Sequence, residues 1–226
     1  MTVAPPKPPT APKFPRGGLR PLPLDQLEDE SVYRGAVLEG VDLSGRSLHA
    51  VTFEGTVFRE VDFSGADWSH VRFVDVRFEQ CNLSAAKWTD LSLLRAQFTD
   101  CRLLGFQVPE AVMQHVRLTR VQAQLALCWK VEAKSLWLED SDLSEATFME
   151  AKLPGAVFRG CTLRQTDFRG ARMPGADLRA SNLSGIRVGV PELQEVTLEA
   201  VQLPDLAHLL GVRVQMLEAA DPSRTA

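Results

Sequence analysis

A large apolar residue recurs at every fifth position through most of this chain. Stepping from Leu178 and Leu183, the centres are Tyr33, Leu38, Leu43, Leu48, Phe53, Phe58, Phe63, Trp68, Phe73, Phe78, Leu83, Trp88, Leu93, Phe98 and Leu103, then Leu138, Leu143, Phe148, Leu153, Phe158, Leu163, Phe168 and Met173, and finally Leu193, Leu198 and Leu203. Two places before most centres stands a smaller residue such as Val51, Ala66, Val76, Cys81, Ala96, Ala156 or Ala176. A continuous helix, advancing about 100° per residue, would smear such a set around its circumference. A straight strand fails as well, because an odd period sends successive centres to opposite faces.

Three extended residues pointing in, out and in, followed by a two-residue corner, satisfy the pattern. Gly45, Gly65, Gly105, Gly155 and Gly175 all fall at the second corner place, where a permissive backbone helps. Asp42, Asp62, Asn82, Asp142, Asp177 and Asn182 stand just before a centre, where a short side chain can bond a nearby backbone N–H. A chain that turns repeatedly in one sense coils, and stacked coils pair like a parallel sheet.

The phrases GADLRASNLSG, VDFSGADW, DSDLSEATF and RQTDFRGARMPGADL resemble the pentapeptide-repeat family, whose unit is Ala-Asp/Asn-Leu-X-X. The resemblance implies an all-β solenoid, a right-handed quadrilateral β-helix in which residues twenty apart stack, over residues 31–205. In such a rod the centres fill the interior and leave no cavity for a small-molecule substrate. Residues 206–226 are expected to form a short capping helix, with Leu206, Leu209 and Leu210 on one side, a strand at Val212 to Val214, and a tail. By likeness to gyrase-protecting relatives, the same three leucines are candidates for a homodimer contact.

Composition narrows the rest. Residues 1–30 are crowded with proline and are expected to be a disordered or polyproline-II arm. The net charge of −4 lacks the basic footprint that nucleic acid requires, so no direct nucleic-acid ligand is expected. No signal peptide or bilayer-spanning run is present, which makes a cytoplasmic protein without membrane contact the default. Four cysteines in 226 residues make no disulfide framework. Cys81, Cys101 and Cys161 share an inward column and read as small buried apolar residues, and His49 and His70 read as solvated surface groups. No catalytic, cofactor or metal motif appears, so no enzyme and no cofactor is expected.

Function therefore rests on the surface, and two readings stand. The first is a non-catalytic scaffold that binds an unidentified protein where the repeat degenerates. Between Val121 and Trp137 the centres shrink to Ala123, Cys128 and Ala133, while Leu125, Leu127 and Trp129 take outward places. With Leu104, Pro109 and Met149 they make a candidate patch. Alternatively the backbone buckles there and the large residues turn inward to fill the core. The second reading follows from the family resemblance: a DNA mimic that binds DNA gyrase or topoisomerase IV and protects against quinolones. Asp62, Asp67, Asp75, Glu79, Asp90 and Asp100 would carry it. Against it, residues 151–190 hold only Asp167 and Asp177 among the acids but seven basic side chains, a face that a DNA-binding saddle repels.

Overall fold

In a computed structural model, which describes residues 6–212 and 214, the chain winds as a parallel β-solenoid. The corner is its unit. Every fifth residue from Glu30 to Gly185 has a positive φ, between 49° and 73°. Where the corner is a hydrogen-bonded turn, the centre's carbonyl accepts the N–H three residues on, as from Ala66 to Phe63 at 2.9 Å and from Phe106 to Leu103 at 3.0 Å. A positive φ at the third residue is what a type II turn demands. Glycine meets it at Gly65 and Gly105, yet Ala85, Asp90 and Leu125 adopt it too. The expected acid and amide bonds are present: Asp42, Asp62, Asn82, Asp142 and Asn182 accept the backbone N–H two residues on at 2.8 to 3.2 Å.

Register is twenty residues throughout. Phe73, Leu93, Met113 and Ala133 lie side by side in parallel strands, and Asp42, Asp62, Asn82, Arg102, Gln122, Asp142, Thr162 and Asn182 bridge one to the next. The longest strands, Arg72–Glu79, Ser92–Thr99, Val112–Thr119 and Glu132–Glu139, pass through a corner and pair along one side of the rod. Inside, identical places stack into ladders. Phe58, Phe78 and Phe98 are spaced 4.7 and 4.4 Å between rings, and Trp68 and Trp88 lie 5.3 Å apart. Cys81 and Cys101 are buried free thiols donating to the carbonyls of Phe58 and Phe78, as small core residues would.

Both ends differ from the sequence expectation. Of the arm expected to be disordered or polyproline-II over residues 1–30, the first five lie outside the described residues, and the rest is laid against the solenoid rather than disordered. Arg20–Pro21 pairs in parallel with Ala36–Glu39, Leu22 packs on the core, and Leu27 is buried. The cause is the open first coil, whose unpaired strand edge and core end need covering. At the other end the corner pattern breaks at Val190, where φ becomes −59°. The helical run starts at Ala200, before the expected 206, and proceeds through Leu203–Leu206 and Ala207–Leu210 to Gly211. Leu203 is consequently exposed rather than a core centre, while Leu206 and Leu209 pack on the last coil. Buried Gln202 donates to the carbonyls of Leu178 and Ser181 at 2.8 and 2.7 Å, supplying partners the absent next coil would have given. The side chain of Leu210 and part of the expected 212–214 strand fall outside the described residues.

Candidate partner-binding site

The coil from Val121 to Asp140 is the exception inside the rod. Its centres are Ala123, Cys128, Ala133 and Leu138, stacked between Leu103, Val108, Met113 and Leu118 on one side and Leu143, Phe148, Leu153 and Phe158 on the other. Three small centres in one coil leave the interior short of volume. A wholly apolar cavity of about 50 Å³ results, walled by Leu103, Val108, Ala123, Ala126, Cys128 and Phe148 among others. This corrects the expectation of a filled rod. The partly accessible surface of Cys128 faces this void, and burial pushes its thiol up to about 12, so at neutral pH it is a protonated, apolar wall.

The missing bulk stands outside. Leu125 is 51%, Leu127 and Leu104 44%, and Trp129 39% exposed. Pro109 and Met149 are half-buried one coil to either side of Trp129, tied to it by the bonds from Glu110 N–H to Trp129 O and from Lys130 N–H to Met149 O. The Lys130 ammonium rests 4.1 Å from the Trp129 ring centroid. From Ala123 to Trp129 the chain thus keeps its phase but inverts its sizes, with small residues in and large ones out. The buckling alternative does not occur, because Leu127 is bridged on both sides, to Gln107 and to Thr147, and Leu125 holds its corner at φ 59°.

The acidic candidates are not brought together. By the twenty-residue register Asp62 lies on one face, Asp67 and Asp90 on the next, Asp75 on the third, and Glu79 and Asp100 on the fourth. Most are also engaged: Asp75 by Arg95 at 2.6 Å, Glu79 by Arg59 and Arg77, Asp100 by Arg120 at 2.7 Å, Asp90 by His70 at 3.5 Å, and Asp62 by the Asn82 amide. In the C-terminal coils two buried carboxylates absorb part of the positive charge. The Arg179 guanidinium beside Asp177 holds its carboxyl down at about 2, against burial that alone would raise it, and Arg159 adds a second bond. Arg169 likewise forks onto Asp167. His49 and His70 are exposed with rings 4.9 Å apart, and among the described residues no three metal-ligating side chains gather. No helix among them is long and apolar enough to cross a membrane.

A left-handed corner at each fifth residue, four such corners to a coil and two inward residues per unit define a quadrilateral β-solenoid built from five-residue units. The chain carries pentapeptide repeats: models of pentapeptide repeats match residues 33–87, 137–165 and 148–185. The unmatched stretch between them, residues 88–136, contains the three small centres Ala123, Cys128 and Ala133. Among solved structures it is similar to a trypsin-treated variant of QnrB1, a plasmid-mediated fluoroquinolone resistance protein, with 21% identity over 80% of this chain and 99% of that one and a TM-score of 0.37. It is also similar to HetL, a pentapeptide repeat protein involved in heterocyst differentiation regulation from the cyanobacterium Nostoc, with 20% identity over 75% and 84% and a TM-score of 0.29. No curated protein matches the chain.

Proposed function

We propose that this protein is a non-catalytic scaffold that holds a protein partner on the apolar patch of Leu104, Pro109, Leu125, Leu127, Trp129 and Met149. One observation carries the reading. The coil that leaves the interior underfilled is the coil that carries large apolar residues on its surface. By the cavity coefficient of about 24 cal/mol per Å³, the 50 Å³ void costs about 1 kcal/mol. A contiguous apolar patch is a common mark of an interaction site.

The DNA-mimic alternative is the weaker one here. A gyrase saddle responds to a long unpaired acidic face, whereas these carboxylates are spread over four faces and three of the six, Asp75, Glu79 and Asp100, are matched by arginine. Among the described side chains, Val190, Val201 and Leu203 are exposed apolar groups that a cap-to-cap homodimer would draw on, since Leu206 and Leu209 turn to the core.

The test is the double variant Leu127→Ser/Trp129→Ser. Both side chains are substantially exposed, so the melting temperature should move by no more than about 2 °C, the shift expected for under 1 kcal/mol in a chain of this size. Partner recovered from the source cell by the wild-type protein should be lost. A large drop in melting temperature, or unchanged recovery, would end the patch hypothesis.

A further inference from the structure

The N-terminal arm is a triplet repeat laid on a five-residue repeat. Residues 7–15 read Lys-Pro-Pro, Thr-Ala-Pro, Lys-Phe-Pro, with proline closing each triplet and an N–H-bearing residue opening it. The half-buried prolines Pro6, Pro9 and Pro12 recur at intervals of three, while Pro8, Thr10, Ala11 and Lys13 are exposed. Three residues per turn is the period of a polyproline-II helix.

The arm follows one corner of the solenoid, the column of Gly35, Gly55, Asp75, Arg95 and His115, running against the direction in which the coils accumulate. Pro15 sits over Gly35 and Gly55, where an added Cβ would come within 3.1 and 3.3 Å of its ring. Phe14 lies under the Arg77 guanidinium, 5.0 Å from centroid to Cζ. The Lys13 N–H donates to Asp75 Oδ1 at 2.9 Å, and Asp75 is fixed from behind by two bonds from Arg95. One triplet further out, the Thr10 N–H donates to His115 Nδ1 at 3.3 Å. The repeats are commensurate: a triplet rises about 9.3 Å in polyproline II, and Asp75 and His115 are two coils apart, about 9.6 Å at the inter-strand spacing.

We propose that this corner column is a receptor groove for polyproline-II segments built of x-x-Pro triplets, occupied in the resting chain by its own residues 7–15. Recognition divides into three parts. The corner glycines admit a proline ring, Arg77 takes an aromatic side chain beside it, and acceptors two coils apart, Asp75 and His115, take the N–H that opens two successive triplets. A second copy of this chain, whose residues 7–15 carry the same triplets, competes with the arm for the groove, and the tethered arm wins at low protein concentration through its high effective concentration.

The full-length chain tests this directly. In one variant Pro9→Gly, Pro12→Gly, Phe14→Ser and Pro15→Gly unseat the arm while leaving the groove intact. A fluorescent peptide of residues 6–18 is titrated into this variant and into wild type and followed by anisotropy. Saturable binding to the unseated variant, at least tenfold weaker to wild type, is expected. Adding Gly35→Ala and Gly55→Ala to the unseated variant should abolish the binding without unfolding it, since Ala50, Ala85 and Ala180 already occupy equivalent corners at φ 55°, 55° and 59°. A peptide of the same composition with its prolines moved off the triplet should not bind. Absence of binding to the folded, unseated variant, equal binding by wild type, or equal binding of the scrambled peptide would each overturn the proposal.

Discussion

Replacing Ala123 by leucine should stabilise the protein, against the usual effect of enlarging a core residue. Ala123 stacks between Leu103 and Leu143, so leucine restores a column that is leucine on both sides. The three added carbons are worth about 2.4 kcal/mol at roughly 0.8 kcal/mol each. Filling the 50 Å³ void returns up to about 1 kcal/mol more. Loss of leucine rotamer freedom takes back about 0.5–1 kcal/mol, and imperfect fit takes a further share. A net gain of about 2 kcal/mol remains, or about 4–8 °C in melting temperature for a chain of this length. The assay is thermal unfolding followed by circular dichroism, with Ala156→Leu as the control. Ala156 is also buried but does not line this cavity, so its replacement should cost about 1–3 kcal/mol by overpacking. If Ala123→Leu lowers the melting temperature as Ala156→Leu does, the coil is not underfilled, and the reasoning that links the void to the displaced surface residues fails.

Two further outcomes follow from charge and register. Asp177 is held at about 2 in the fold, below its ordinary 3.8, so its pairing stabilises the protein above pH 4 and is lost as the pH falls from 4 towards 2. Asp177→Asn should cost on the order of 2 kcal/mol at pH 7 and only a small fraction of that by pH 2, and denaturant unfolding at the two pH values measures both; an equal cost at each pH would reject the ion-pair account. Deleting a single residue between Asp62 and Ala85 should prevent folding, whereas removing the whole coil Asp62 to Cys81 should leave a shorter, cooperative solenoid. Equal tolerance of the two deletions in an unfolding experiment would refute the twenty-residue register.

The period of five was decisive because each unit is local. A large inward residue, a smaller one two places earlier, an acid or amide bonding the N–H two residues on and a corner with positive φ are all written within a few residues of one another, at Val61, Asp62, Phe63 and Gly65 as at Ser181, Asn182, Leu183 and Gly185. The sequence therefore determined the solenoid, its phase and the suspect coil of small centres. Three matters were left to the tertiary structure, because each depends on residues brought together from distant places. Whether Leu127 fills the core or faces outward is a contest between a void worth about 1 kcal/mol and the ladder to Gln107 and Thr147, which an inward slip would break together with the phase of every later unit. The acidic candidates looked like one set along the chain, but four corners per coil deal them to four faces and set arginines such as Arg95 and Arg120 twenty residues from their acids. The proline-rich arm looked disordered by composition, since its period of three means nothing until two coils of the rod supply a matching interval.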